Sequence, residues 1–378
     1  MTRTLSLRIL SWLCLVQMTL ISLYSMYYIT ATYTKYYKDV SMKVVRKSAK
    51  ITMKYEKVAF LKVHKTGSST AQNIFLRYGY SRNLMFVLPK VRKGHYDNVI
   101  SQGTSLNEDN IVPSSKNKTF DILCCHVLYN RKAFQKYVPG KTAYIGIVRE
   151  PFEQFLSTLK YFRPPHIFKN IKELNPVLKY LQNPMKYEKA YSYTNNRMAF
   201  EFDFPRHLFT NYTRKESQAY LSKIDNEFHF VIIMDYFMES IVMMRRILGW
   251  NVKDVLFLKK NSAKKYWFIG HRYRNLYERF AKLDYDLYNF FYRRLWEQIR
   301  LEGINFQLEL KYFKNLRQEV EDYCVKEVTM ENPYLVPVSL WNVAFNVTSV
   351  DCTLLMMGEP DFVSLVRKRQ SKNDSKRR

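Results

Sequence analysis

The stretch KVAFLKVHKTGSSTAQNIFLRYG, residues 57–79, changes from a short apolar run to a polar loop and then to a helical pattern. The apolar run, residues 57–64, has the length of a buried strand, and apolar side chains then recur at helical spacing up to Gly79, a typical helix end. A loop that leaves a strand and enters a helix exposes backbone N–H groups at the positive end of the helix dipole. The stretch therefore predicts an anion-binding site at the carboxyl end of this strand.

The side chains of this loop strengthen that prediction. Lys65 adds a positive charge, and hydroxyl donors follow it along the chain. These donors belong to Thr66, Ser68, Ser69 and Thr70. The loop is not a Walker A motif, which has a glycine at its first position and a lysine after its second glycine, whereas Lys65 precedes Gly67. An ordinary turn capped by serine or threonine is the alternative interpretation.

Further apolar runs of strand length are each followed by a helical pattern. They are FDILCCH (residues 120–126), TAYIGIVRE (residues 142–150) and FHFVIIMDY (residues 228–236), and Gly249 is a helix end after the last. Strands that are apolar on both faces suit a parallel sheet covered by helices. We therefore predict an α/β fold with a central parallel sheet and helices on both faces. The aromatic and basic stretch at residues 264–300 is also expected to be helical.

A second motif, IVREPFEQFLS at residues 147–157, lies at another strand-to-helix junction. Arg149 ends the strand, Pro151 opens the helix, and Ser157 follows about two turns later. An arginine fork and a nearby hydroxyl can bind one phosphate through charge-assisted hydrogen bonds. The alternative is a surface ion pair between Arg149 and Glu150 or Glu153.

Composition limits the class of protein and of partner. The 378 residues are 47% hydrophobic and 25% charged, which excludes a disordered polymer, a collagen-like repeat and a disulfide-stapled mini-protein. The formal net charge of +28 requires an anionic partner: nucleic acid, an acidic membrane, or a phosphorylated or sulfated small molecule. Residues 367–378 form a basic tail that we expect to be a solvated appendage.

The amino terminus predicts a membrane anchor. Residues 9–29 carry no charge, and a helix of 21 residues at about 1.5 Å per residue matches a hydrocarbon core of roughly 30 Å. A cleaved signal peptide and a buried core helix are the alternatives. With residues 9–29 as a transmembrane signal-anchor, residues 1–8 become a cytosolic tail and residues 30–54 a stem, so that the folded body starts near residue 55.

Glycosylation sequons and cysteines agree with a lumenal body. Asparagines in the N-glycosylation pattern are Asn117, Asn211, Asn346 and Asn373. Outside the anchor the cysteines are Cys124, Cys125, Cys324 and Cys352, whose pairing the sequence leaves open. With an anchor, the sequons favour a large lumenal domain, which makes nucleic acid an unsuitable partner.

The two motifs together resemble the 5′-phosphosulfate loop and the 3′-phosphate motif of Golgi sulfotransferases. More narrowly, three segments resemble the galactose-3-O-sulfotransferase family. They are FLKVHKTGSSTAQNIFLRYGYSRNLMFVLP (residues 60–89), DILCCHV (residues 121–127) and FHFVIIMDYFMESIVMMRRILGWNVKDVLFLKKN (residues 228–261). The resemblance covers residues 58 to 261, and Gly67 departs from it, since members of the family carry alanine there.

The resemblance implies a P-loop-like sulfotransferase fold and a single-pass type II Golgi membrane protein with a lumenal catalytic domain. It implies transfer of a sulfuryl group from 3′-phosphoadenosine 5′-phosphosulfate to the 3-hydroxyl of a terminal galactose, on a galactosylceramide-type glycolipid or a glycoprotein glycan. The lumenal sulfotransferase domain would span residues 55–320, with a C-terminal extension at residues 321–366. We expect that the reaction requires no metal ion. Whether the protein forms a homodimer is left open.

The resemblance also implies a role for each residue that matches a position of the family's motifs. Lys65 should contact the sulfuryl and bridging oxygens, while Thr66, Gly67, Ser68, Ser69 and Thr70 should offer loop donors. Arg149 and Ser157 match the positions that bind the 3′-phosphate. The acceptor hydroxyl needs a general base, and His126 and His64 both lie at carboxyl ends of strands, where open α/β sheets bind ligands. We prefer His126 as the base, with His64 as its partner or as a donor contact.

Two other functions remain open from the sequence. A P-loop kinase using ATP and Mg²⁺ would share the fold, with Asp235 ending its strand as in a Walker B motif; without a Walker A loop we favour a structural or acceptor-side role for Asp235. A membrane-anchored protein that binds anionic glycans without chemistry would explain the charge. Acceptor contacts are expected from residues 90–115, residues 164–214 and the region after Asn261, where exposed aromatic rings could stack on sugars.

Overall fold

A parallel four-stranded sheet forms the centre of the computed structural model, which describes residues 12, 15–32, 55–91, 98–114, 119–188, 192–258, 270–326 and 332–375. Its strands are β1 (Lys57–Phe60), β2 (Ile122–Leu123), β3 (Thr142–Val148) and β4 (Phe230–Ile233), in the order β2-β1-β3-β4. Val58 pairs with Ile122 and with Ala143, and Ile145 pairs with Phe230. All strand residues except Lys57 are buried, as expected when helices cover both faces.

Helices make up most of the remaining structure. They are α1 (residues 15–32), α2 (Ser68–Ser81), α3 (Arg131–Tyr137), α4 (Pro151–Phe162), α5 (Pro165–Phe168), α6 (Pro176–Gln182), α7 (Arg197–Glu201), α8 (Arg214–Glu227), α9 (Phe237–Leu248), α10 (Val252–Val255), α11 (His271–Phe280), α12 (Lys282–Glu302), α13 (Ile304–Lys326), α14 (Ser349–Met356) and α15 (Glu359–Ser375). A separate pair of strands, β5 (Tyr334–Val336) and β6 (Phe345–Val347), forms a two-stranded sheet.

The strands are shorter than the apolar runs that predict them. The run at residues 57–64 pairs only to Phe60, and the run at residues 228–236 turns into a 3-10 helix at Met234–Tyr236. The prediction that α2 ends at Gly79 is wrong, because the helix continues to Ser81. Gly79 is instead a close-packing position, since an added Cβ would lie 2.4 Å from the Phe86 ring. The predicted stop at Gly249 is confirmed by its φ of 69° at the end of α9.

The carboxyl-terminal helices α14 and α15 are held to other helices of the fold by a disulfide and by packing. The predicted boundary at residues 320 and 321 falls inside α13, and a disulfide joins Cys324 of that helix to Cys352 of α14. The predicted solvated tail at residues 367–378 differs from the structure, because α15 packs against α2. Arg367 Nη2 donates to Pro89 O at 2.7 Å, so the start of the tail contributes to the folded body.

The chain divides into two compact units. The larger comprises Met53–Tyr334 with Val347–Arg378 and contains the four-stranded sheet; the smaller comprises Met1–Thr52 with Leu335–Asn346. Across the described parts of both units, no helix combines the length and the apolar character needed to cross a membrane. The predicted anchor at residues 9–29 overlaps α1, but residues 9–11, 13 and 14 lie outside the described residues, as do stem residues 33–54.

Candidate active site

The loop after β1 joins the sheet to α2 in an unusual backbone conformation. Lys65 has a φ of 61° and Gly67 a φ of 74°, in the left-handed region that favours glycine. An alanine Cβ at Gly67 would also lie 2.4 Å from Met234 Sδ. No side chain among the described residues caps the start of α2, and its first turn holds no acidic residue. The positive end of the helix dipole is therefore available to an anion.

The hydroxyl groups of the loop mainly shape it. Thr66 Oγ1 and Ser68 Oγ donate back to Val63 O at 2.9 and 2.7 Å, and both side chains are buried. Ser69 Oγ donates to Glu359 Oε2 at 2.7 Å, while Thr70 is half-buried in the first turn of α2. Sequence reasoning predicts these hydroxyls as ligand donors, but the structure uses three of them within the protein.

The two predicted motifs meet at the carboxyl ends of β1 and β3. Arg149 Nη1 donates to Lys65 O at 3.3 Å, which links the strand end of one motif to the loop of the other. Arg149 also makes the predicted ion pair, with Glu153 Oε2 at 3.4 Å. Ser157 lies one turn beyond Glu153 on α4 and is half-buried. The geometry brings Lys65 and Arg149 together, with Ser157 further along the helix that Pro151 opens.

Lys65 lies among cations and aromatic rings. Its Nζ is 3.6 Å from the ring centroid of Tyr161, at the end of α4. Burial, followed by the nearby charges of Arg149 and Lys62, lowers the pKa of Lys65 to about 8. This ammonium is partly desolvated and surrounded by other positive charges, so it has a strong electrostatic demand for an anion.

His64 is held by a buried carboxylate. Its Nδ1 is 2.5 Å from Glu201 Oε1, and its backbone N–H donates to Glu201 Oε2 at 2.9 Å. Arg197 Nε donates to the same carboxylate at 2.5 Å, and both Arg197 and Glu201 are 1% exposed. Although burial alone would raise the pKa of Glu201, His64 and Arg197 lower it to about 2, so the carboxylate is ionised. Burial lowers the pKa of His64, and Glu201 opposes that shift.

Asp284 of α12 holds the helix that carries this carboxylate. Its Oδ1 accepts from the Ala199 backbone N–H at 2.7 Å, at the start of α7, and its own N–H donates to Asn196 Oδ1 at 3.0 Å. Burial raises the pKa of Asp284 to about 7, against the opposing effect of these backbone donors. The cap for α7 therefore comes from another helix, because Asn196 makes no side-chain cap there.

His126 has both ring nitrogens engaged. Its Nδ1 lies 2.8 Å from Lys62 O, which accepts, so Nδ1 carries the proton and Nε2 accepts from Lys62 Nζ at 2.8 Å. Lys62 is 1% exposed and also pairs with Glu359 Oε1 at 2.7 Å. Burial, then Lys62, then His64, hold the pKa of His126 well below its ordinary value. The rings of His126 and His64 stack 3.7 Å apart.

A metal ion fits this cluster poorly. Donor atoms of His64, His126 and Glu201 lie within 4.8 Å of one another, a spacing that a metal could bridge. Glu201, however, is already paired with Arg197, and Lys62 donates to the His126 nitrogen. Two buried cations beside the cluster oppose a third.

The other predicted site residues have separate positions. Asp235 Oδ2 accepts from the Glu150 backbone N–H at 2.9 Å, which supports a structural role. Asn211 and Asn346 are exposed; Asn117 and the side chain of Asn373 lie outside the described residues. Cys124 and Cys125 are buried thiols next to β2.

Sequence reasoning missed the partners of the two histidines. Lys62 has a readable signal, a lysine inside an apolar run, whereas Arg197, Glu201 and Glu359 carry none, because only the tertiary fold brings them to the loop.

Known proteins resemble this chain over most of its length. Residues 1–334 match the family model described as Galactose-3-O-sulfotransferase. The chain is 31% identical over 288 residues to galactose-3-O-sulfotransferase 2 of Mus musculus, covering 73% of this chain and 71% of that protein. It is 28% identical over 255 residues to galactosylceramide sulfotransferase of Homo sapiens, covering 65% of this chain and 58% of that protein. The alignment thus spans less than two thirds of the length of the human relative.

Proposed function

Because the chain belongs to the galactose-3-O-sulfotransferase family, we propose that it transfers a sulfuryl group from 3′-phosphoadenosine 5′-phosphosulfate to the 3-hydroxyl of a terminal galactose. One observation carries the proposal: the Lys65 loop, Arg149 and the His64–Glu201 pair converge at the carboxyl end of the parallel sheet. Open α/β sheets bind their ligands at this edge. A cationic loop beside a carboxylate-held histidine suits transfer of an anionic group to a hydroxyl.

The residues present fit an anionic donor of this kind. Lys65 and the uncapped start of α2 would hold the phosphosulfate group, and Arg149 with Ser157 would hold the 3′-phosphate. Sulfuryl transfer forms the bond between the galactose oxygen and sulfur while the bond from sulfur to the phosphate oxygen breaks. Negative charge then grows on that phosphate oxygen, and the Lys65 ammonium stabilises it, as cations do in phosphoryl transfer.

His64 is the general base that the geometry supports. Its Nδ1–H is directed at the ionised Glu201, so the lone pair of Nε2 is the one that can accept the proton from the galactose 3-hydroxyl. Glu201 stabilises the imidazolium that results. His126 suits this role less, because its Nε2 accepts from the Lys62 ammonium and its Nδ1–H is bound to a backbone carbonyl. We therefore assign the base to His64, and to His126 the roles of packing on that ring and binding Lys62.

A lumenal Golgi location goes with this function. The Cys324–Cys352 disulfide suits an oxidising compartment, and Asn211 is an exposed sequon. The type II anchor depends on the sequence of residues 9–29 alone. A glycan on Asn211 that a glycosidase removes would support the lumenal location, and retention of the full chain in membranes washed with alkaline carbonate would support the anchor. A chain that is unglycosylated and is extracted by the carbonate would contradict both proposals.

The acceptor is a galactose-terminated glycolipid or glycoprotein glycan. One relative is named for galactosylceramide and another for galactose itself, so both classes are candidates for this chain. The net charge of +28 suits an anionic donor and acceptors displayed on a membrane.

The test is transfer of radiolabelled sulfate by the full chain, with galactosylceramide and a lactosamine-capped glycan as parallel acceptors. Label on galactose that is lost in Lys65→Ala, and that survives a metal chelator, supports the proposal. Phosphate transfer from ATP that needs Mg²⁺ would instead make the chain a kinase. Glycan binding without transfer from either donor would make it a binding protein.

A further inference from the structure

A series of aromatic rings connects Lys65 to His64. Tyr161 and Phe162 meet edge to face with centroids 4.9 Å apart, and Phe162 stacks on Tyr193 at 4.3 Å. Tyr193 then meets the His64 ring edge-on at 5.1 Å. The rings thus form an unbroken series of contacts from the cation assigned to the sulfuryl group to the base assigned to the acceptor hydroxyl.

Tyr161 is the open end of this series. Its side chain is 67% exposed, whereas Phe162 and Tyr193 are half-buried. It occupies the last turn of α4, one turn after Ser157, and so extends the donor face of that helix toward solvent. A large exposed ring that is continuous with an active site is a stronger sign of ligand contact than a single exposed apolar residue elsewhere.

The Lys65 ammonium covers one face of Tyr161. The distance of 3.6 Å from Nζ to the ring centroid is a close cation–π contact. Such a contact is weaker than a charge-assisted hydrogen bond to a phosphate or sulfate oxygen. When an anionic donor binds the loop, its oxygens therefore compete for Nζ and draw it off the ring. The face exposed in this way adjoins the group to be transferred.

We propose that the ring of Tyr161 is the platform on which the acceptor sugar stacks, and that it becomes available once the donor has bound Lys65. This rests on the proposed function. The axial 4-hydroxyl of galactose leaves C–H groups of C3, C4 and C5 together on one face, an apolar patch that matches an aromatic ring and leaves the 3-hydroxyl at its edge. Substrates accordingly bind in order, donor first and galactoside second.

The test compares three variants of the full chain with methyl β-galactoside and lactose as acceptors. Tyr161→Ala should raise the KM for both acceptors about tenfold, the loss of one aromatic contact, with the dissociation constant of adenosine 3′,5′-bisphosphate within threefold of wild type. Tyr161→Phe should keep the wild-type KM, because it keeps the ring. Tyr137→Ala is the matched control, because this half-buried tyrosine also has a lysine over its ring, at 5.2 Å. Tyr137 lies at the end of α3, where the chain leads into the amino end of β3, opposite the carboxyl end at which the proposed site lies.

The outcomes separate this proposal from the function on which it rests. Initial-rate patterns of an ordered mechanism, with the KM change confined to Tyr161→Ala, support the platform. An unchanged acceptor KM in Tyr161→Ala refutes it while sulfation of galactose stands. A rise in the bisphosphate dissociation constant that equals the rise in acceptor KM also refutes it, because the ring then stacks on the donor's adenine. If the wild type sulfates no galactoside at all, the proposed function fails first.

Discussion

Raising the pH should switch off donor capture by neutralising Lys65. The proposed function needs the ammonium form, and burial together with Arg149 and Lys62 lowers the pKa of this group to about 8. The sign follows directly: a lowered pKa means that Lys65 loses its proton, and with it the affinity for an anion, at a lower pH than a solvated lysine would. His64, the proposed base, determines the acid side of the pH profile. Its pKa lies below the ordinary value, so its imidazole is already neutral near pH 7.

The magnitude follows from the titration of one group. With a pKa of about 8, roughly nine-tenths of the Lys65 side chains are charged at pH 7 and roughly one-tenth at pH 9. If only the charged form captures the donor, kcat/KM for the donor falls about tenfold over these two units. Bound donor stabilises the ammonium, so kcat at saturating donor should fall at a higher pH than kcat/KM does.

The assay measures initial rates of sulfate transfer at limiting donor and saturating acceptor between pH 6.5 and pH 9.5. Lys65→Arg is the control, because a guanidinium stays charged throughout this range. We expect it to lower the rate, since an arginine fork cannot reproduce a point charge, but to remove the alkaline decline. A wild-type profile that stays flat to pH 9, or the same decline in Lys65→Arg, would refute the assignment of this pKa to Lys65.

Further predictions concern the base, the disulfide and a buried ion pair. His64→Ala should lower kcat about 10²–10⁴-fold with donor affinity unchanged by calorimetry, and His126→Ala should lower kcat less; the reverse order would return the base to His126. Cys352→Ser opens a disulfide that closes 28 residues and should cost about 3–4 kcal/mol in urea unfolding; equal midpoints for both proteins would contradict this. Glu359→Ala leaves the Lys62 ammonium buried without its carboxylate and should cost about 3 kcal/mol, whereas a loss below about 1 kcal/mol would show that the pair is not held.

The sheet and the donor motifs could be predicted because their signals are local. Apolar runs mark the four strands, and Pro151 and Gly249 mark a helix start and a helix end. Parallel strands bring their carboxyl ends to one edge, which is enough to place Arg149 beside the Lys65 loop. The resemblance to the galactose-3-O-sulfotransferase family, carried by these same residues, is confirmed by the family match.

The base that we propose could not be chosen from the sequence, because the choice depends on partners far away in the chain. Glu201 lies 137 residues beyond His64 and sits in a short helix without a motif. Lys62 and His126 lie just beyond the paired strands β1 and β2, which bring them together across 64 residues. From sequence alone both histidines follow a strand and look equivalent. The structure distinguishes them by what each ring nitrogen contacts, a carboxylate in one case and an ammonium in the other.

A buried ion pair links the proposed site to a residue beyond the region that matches the family model. Lys62, two residues beyond β1, is almost completely buried, and a buried ammonium is costly unless a carboxylate pairs with it. Glu359 provides that carboxylate from the start of α15, outside the matched residues 1–334, and it also accepts from Ser69 of the loop. Burial would raise the pKa of Glu359, but Lys62 and its hydrogen-bond donors lower it, so the pair is ionic. The disulfide joins α13 to α14, just before α15. The carboxyl-terminal helix α15 therefore supplies the carboxylate that pairs with the buried Lys62 ammonium beside the proposed site.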